Sequence, residues 1–257
     1  MDGAIDFWAA KALLEWQIEL GADEPIGDLP VNRYEIPAET PKAKPAPEPM
    51  APAVIPAVDP VAVAERMAAA ARDLDSLAEA QRAFDHLDLK KGARNLVFAD
   101  GIRGARVMVI GEAPGREEDI EGRPFVGKAG QLLDRMFAAI GLSRTAPAPD
   151  NAIYFTNVLP WRPPANRTPE PAEIAMMLPF LKRHVELAAP DLLVLMGNTP
   201  CQAILGRQGI LRLRGQWAEG FGLPVMPMTH PAYLLRQGLA KRDAWSDLLE
   251  ISARLQA

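Results

Sequence analysis

Apolar residues near the N-terminus recur at Ile5, Trp8, Ala12, Trp16 and Leu20, every three or four positions. That spacing predicts one apolar face of a short helix, with Gly21 as its stop. From about residue 61 the pattern becomes regular. It predicts two helices, over 61–72 and 75–86, followed by short uninterrupted apolar runs at 107–110, 153–158, 192–196 and 225–228. Helical segments near 128–140, 171–189, 199–205 and 240–255 separate or follow these runs. Unbroken apolar strands alternating with helices predict an α/β fold, a three-layer α/β/α arrangement with a central four-stranded, mainly parallel sheet covered on both faces. Ligands in such folds bind beyond the carboxyl ends of the strands, so chemistry is sought in the segments that follow each run.

Between the first helix and the regular part, residues 37–60 contain eight prolines among Ala, Lys and Glu. This composition cannot build a core and predicts an extended, semi-rigid linker. The expected organisation is therefore an N-terminal amphipathic helical segment over 1–36, a Pro/Ala-rich linker over 37–60 and a main domain over 61–257. The tryptophan-bearing helix serves equally to dock on that domain or to bind a protein partner.

Charge divides at the same place. Residues 1–60 carry four basic and eleven acidic side chains, which leaves 24 basic and 22 acidic for the rest of a chain whose formal net charge is -5. The acidity belongs to the leader. Within 207–242, Arg207, Arg212, Arg214, Arg236, Lys241 and Arg242 face only Glu219. This is either a solvated surface or a nucleic-acid backbone contact. The single cysteine, Cys201, excludes an internal disulfide and any four-cysteine zinc or iron–sulfur site. No apolar stretch is long enough to span a membrane and the acidic start is unlike a signal peptide, so the expectation is a cytoplasmic chain without membrane contact.

The segment after the first run reads Gly111-Glu112-Ala113-Pro114-Gly115-Arg116-Glu117-Glu118-Asp119 and continues through Gly122-Arg123-Pro124-Phe125-Val126-Gly127-Lys128-Ala129. Glycines here permit close approach to a ligand, and the clustered carboxylates repel one another without a purpose. An acidic loop capping the following helix is the plainer alternative. Gly122 to Ala129 comes one residue short of a phosphate-binding loop, but alanine replaces the magnesium-binding hydroxyl and the glycine stands twelve positions beyond Ile110, the end of its strand. Nucleotide hydrolysis is therefore a minor alternative. The second run ends at Asn157 and leads into Arg162-Pro163-Pro164-Ala165-Asn166-Arg167; the fourth leads into His230-Pro231-Ala232-Tyr233-Leu234-Leu235-Arg236.

With these three motifs in this order, the chain over roughly 84–253 resembles the bacterial and archaeal uracil-DNA glycosylases of the iron–sulfur type. The resemblance implies hydrolysis of the N-glycosidic bond of uracil in DNA, with uracil-containing DNA as substrate and abasic DNA as product. It makes Phe125 the ring that stacks on uracil, His230 the donor to uracil O2, Leu234 or Leu235 the wedge, and Arg236, with Arg167, phosphate contacts. It also places the four cluster cysteines at Phe84, Leu87, Trp161 and Met177. All four are apolar, so no cluster and no other cofactor or metal is expected, and a hydrophobic plug should anchor the same segments.

Uracil excision sets three tasks: hold a flipped base, stabilise the departing anion and supply a carboxylate near the cationic sugar. Asn157 offers one acceptor and one donor to uracil N3–H and O4. Gly111 and Ala113 would line the base, Ala113 standing where other glycosylase families carry aspartate. The carboxylate comes from Glu112, Glu118 or Asp119, in that order, with Asp119 also suited to bracing the loop. A bland reading exists for each: a core phenylalanine, a loop-capping asparagine, a structural histidine. The expected enzyme is a monomeric, monofunctional glycosylase. The alternative is a protein that binds uracil or abasic sites and turns over poorly. Residues 165–169 contain no histidine, which argues against covalent trapping of DNA.

Overall fold

The computed structural model describes residues 7–19 and 58–256. The chain divides into two units, Met1–Ile55 and Pro56–Ala257. In the first, helix α1 (Phe7–Glu19) carries Trp8 and Trp16 on its surface. Of the expected apolar face, Ile5, Leu20 and Gly21 lie outside the described residues, as do 37–57 of the linker.

The second unit begins with α2 (Pro60–Ala70) and α3 (Leu74–Ala83). Their starts are written in the sequence. The Asp59 carboxylate accepts from the Val61 N–H ahead of a first-turn proline, and Asp73 and Ser76 form a reciprocal capping box. A single turn, α4 (Leu89–Gly92), precedes strands β1 (Asp100–Gly101) and β2 (Val107–Gly111). Next come α5 (Arg116–Glu121), α6 (Lys128–Ala138), β3 (Ile153–Asn157) and the long α7 (Pro171–Ala188). Strand β4 (Leu192–Met196) is followed by α8 (Asn198–Leu205), α9 (Ile210–Leu213), β5 (Ala218–Gly220), β6 (Leu223–Met228), α10 (Pro231–Arg236) and α11 (Lys241–Gln256).

The sheet order is β1-β3-β2-β4-β6-β5. The four predicted strands form its parallel centre, and two short antiparallel strands, β1 and β5, extend it to six at the edges. Those edge strands escaped the apolar pattern because Asp100, Gly101, Glu219 and Gly220 carry no run of large apolar side chains.

Every residue of β2 is buried, and alternate side chains feed two cores. Met108 and Ile110 join α2, α3, α7 and α8 on one face. Val107 and Val109 join α6, α10 and α11 on the other. The chain therefore forms the expected α/β/α layers. The chain passes from β2 to β3 on one side and then from β3 across β2 to β4 on the other, so the carboxyl ends of these strands open a crevice at the switch point.

The four apolar residues that the resemblance sets at the cluster positions share one core. Phe84, Leu87, Trp161 and Met177 are all buried in the first core, where Phe84 meets Phe180 edge to face at 5.5 Å. The residues present do not fit an iron–sulfur cluster. They offer no thiolate and fill the space with carbon, and no group of three or more His, Cys, Asp or Glu among the described residues is placed to hold a metal. Cys201 is buried in α8, and burial pushes its thiol up to about 12.

Candidate active site

A cavity of about 560 Å³ opens at this crevice. Gly111 ends β2 directly opposite Asn157, which ends β3. Gly111 has to be glycine, because a Cβ there would be driven into the Asn157 side-chain oxygen and the Phe125 ring. Asn157 is buried, lines the cavity, and its amide has no hydrogen-bond partner among the described residues.

Phe125 sits in a strained turn at φ 56°. Two features secure it. The backbone of Phe125 lies against Gly130 of α6, where any side chain would collide with it. Arg144 donates to the Pro124 carbonyl at 3.1 Å and to the Phe125 carbonyl at 2.9 Å, pairs with Asp100 and Asp134, and lies 4.3 Å above the Phe155 ring. The Phe125 ring thereby reaches the cavity 6.2 Å from the His230 ring.

His230 caps the start of α10. Its Nδ1 accepts from the Ala232 N–H at 3.2 Å, which leaves the ring proton on Nε2. Burial, with a smaller contribution from Arg236, lowers its pKa to about 4. The imidazole is neutral at pH 7 and presents a fixed N–H donor.

The carboxylates separate by environment. Glu112 lines the cavity and accepts a hydrogen bond from the Thr199 hydroxyl at the start of α8. Glu118 lines it too, but its oxygens accept from the N–H groups of Gly115, Val126 and Gly127 at 3.1, 3.0 and 2.9 Å and tie both ends of the loop together. Asp119 is buried outside the cavity, where it accepts from the Arg94 and Asn95 N–H groups. These contacts suit the loop-bracing place given to it beside its candidacy as a carboxylate near the sugar. Ala113 lines the cavity. The near-miss phosphate loop is divided between elements: Gly122 ends α5 in a left-handed cap and Lys128 opens α6.

The candidate DNA contacts also divide. Leu234 is fully buried in the second core, whereas Leu235 is 46% exposed. The alternation follows from α10, which turns one leucine inward to pack and its neighbour outward. Arg236 lines the cavity mouth. Arg167 lines it as well, with its guanidinium held by Glu173 at 2.6 and 2.9 Å. Thr199 and Arg144 were not among the candidates. Each acts across long sequence separations, and no local motif marks them.

Comparison with known proteins agrees with this geometry. Residues 98–249 match the model of the uracil DNA glycosylase superfamily. The chain is 38% identical over 173 residues to the Type-4 uracil-DNA glycosylase of Archaeoglobus fulgidus, covering 64% of this chain and 84% of that protein. It is 36% identical over 195 residues to that of Saccharolobus solfataricus, covering 72% and 88%. For the Thermotoga maritima enzyme of the same name, the identity is 39% over 145 residues, 55% and 72%. With the α/β/α fold, the strand-end cavity and a family match over more than half of its length, the chain belongs to the uracil DNA glycosylase superfamily.

Proposed function

We propose that the chain is a monofunctional uracil-DNA glycosylase that flips uracil from DNA, hydrolyses its N-glycosidic bond and leaves an abasic site. The observation that carries the reading is the convergence of Phe125, Asn157, His230 and Glu112 on one cavity beyond the strand ends. The names of the relatives support the substrate.

In this reading uracil stacks on Phe125 between Gly111 and Ala113, and the Asn157 amide pairs with N3–H and O4. As the C1′–N1 bond breaks, the bonding electrons pass into the base, and the His230 Nε2–H donates to O2 where negative charge collects. Water forms the new bond to C1′, and its proton goes to Glu112, which also offsets the positive charge on the sugar. Glu118 holds the loop. Leu235 fills the vacated stack and Arg236 contacts phosphate, with Arg167 restricted by Glu173. The enzyme works as a monomer through residues 61–257, and the N-terminal helix is available to a protein partner.

The test is a labelled oligonucleotide carrying one uracil, opposite guanine or unpaired, incubated with protein well below substrate and then cut with alkali. Conversion of most of the substrate is expected. A yield that stops at one product per protein would favour a lesion-holding protein, and no product would overturn the assignment.

A further inference from the structure

Helices α6 and α11 do not close fully against each other. Between them lies a slot of about 250 Å³, which shares no lining residue with the base cavity. Its walls are carbon: Leu132, Met136 and Ala139 from α6, and Ala244, Trp245 and Leu248 from α11. Apolar surface continues outside it, where Trp245 is 43% exposed, Leu249 48%, and Leu239, on the turn leading into α11, 96%. Two exposed cations stand at the rim, Arg135 on the α6 wall and Lys241 on the α11 wall. Arg242 adds a third, one turn before Trp245. None of the three has a carboxylate partner among the described residues, whereas Asp134 and Asp247 of the same helices are bound to Arg144 and Arg214.

Lys241 and Arg242 open α11, where the positive end of the helix dipole disfavours cations, so they gain nothing from their own helix. A solvated face would explain the charges alone, but not the apolar slot between them. The volume falls below the roughly 300–1,000 Å³ of sites for free small molecules and suits one or two bulky side chains. Tryptophan, methionine and arginine are the side chains enriched where proteins meet proteins. A nucleic-acid strand needs cations in a row along a groove, whereas these flank a carbon-lined slot from two sides. We propose that the slot docks an acidic peptide segment of a protein partner. One or two bulky apolar side chains of that segment fill the slot, and carboxylates on either side of them meet Arg135 and, across the slot, Lys241 and Arg242. Because the slot lies apart from the base cavity, partner and DNA are held at once and the bond-breaking step is unchanged.

The test reads anisotropy of a fluorescein-labelled peptide, Asp-Asp-Leu-Phe-Asp-Asp, titrated with the full chain. Two control peptides carry Asn for every Asp, or Ala for Leu and Phe. The acidic apolar peptide should bind in the micromolar range, and each control about tenfold more weakly. Arg135→Gln and Lys241→Gln should each raise Kd about three- to tenfold and flatten its dependence on salt. Ala139→Trp, which fills the slot from an exposed position, should abolish binding. Melting temperatures and uracil excision of the three variants should match wild type, which separates loss of docking from loss of fold. No binding of the acidic apolar peptide, equal binding of the controls, or wild-type affinity in both Ala139→Trp and Lys241→Gln would overturn the proposal. Affinity for abasic duplex DNA is measured alongside. A fall there with peptide binding unchanged would assign the surface to nucleic acid and overturn the proposal equally.

Discussion

Single side chains at the crevice carry separate tasks, and each can be tested alone. Glu112→Gln keeps shape and removes charge, so single-turnover excision should fall about 10²- to 10⁴-fold with DNA affinity retained. His230→Ala should cost about 10²- to 10³-fold through loss of the donor to the leaving base. The hydroxyl of Thr199 aims the Glu112 carboxylate. Thr199→Val should therefore slow excision at unchanged KM, Thr199→Ser should restore it, and in a Glu112→Gln background Thr199→Val should have no further effect. The low pKa of His230, about 4, has a sign that can be read in kinetics. The working neutral form persists as pH falls past 6.5 and is lost only as pH drops through about 4. Single-turnover rates between pH 8 and 4.5 should thus show no histidine step near 6.5, and such a step would contradict the environment assigned to this ring.

At the scale of elements, the site depends on how a turn is held against a helix. The strained Phe125 turn rests on Gly130 and is tied by Arg144. Gly130→Ala or Arg144→Ala should raise KM for uracil-DNA by displacing the ring, while wild-type-like affinity for abasic DNA remains. The plug of Phe84, Leu87, Trp161 and Met177 does by burial what four thiolates around iron would do, joining the loop after α3, the loop after β3 and helix α7. The purified protein should be colourless, and prolonged chelation should leave its melting temperature unchanged; stoichiometric iron would refute this. Phe84→Ala should cost about 3–5 kcal/mol in urea unfolding, from lost burial and the cavity left behind.

For the molecule as a whole, two buried histidines set an acid limit on stability. His230 lies at about 4 and His184, stacked on Phe98 and bonded to the Tyr154 hydroxyl, at about 3, in both cases chiefly through burial. Their ordinary value is 6.5. Above it neither form of the protein is protonated there and stability is complete. Below it the unfolded chain takes up protons that the native state refuses, so stability falls as pH drops from 6.5 toward 4. The slope approaches about 2.7 kcal/mol per pH unit for two such groups. Urea midpoints at pH 7 and 5 should show this loss, and His184→Gln should remove roughly half of the slope.

The parallel centre was legible in the chain because a strand buried on both faces must be apolar at every position, and 107–110 and 192–196 are. The helix starts were legible because caps are local chemistry, as at Asp59 and Asp73. Asn157 and His230 could be picked out because each follows an apolar strand, and Phe125 through the resemblance carried by its Gly-Arg-Pro-Phe turn. Beyond local pattern the chain is silent. Whether Leu234 or Leu235 faces outward depends on the phase of a single helical turn against the core. The division of labour among Glu112, Glu118 and Asp119 depends on which N–H and O–H groups the fold brings to each carboxylate: Thr199 to the first, loop amides to the second, the Arg94 and Asn95 amides to the third. Side chains of one type carry no mark of the partners that will surround them. Those partners come from distant stretches of chain, and only packing decides them.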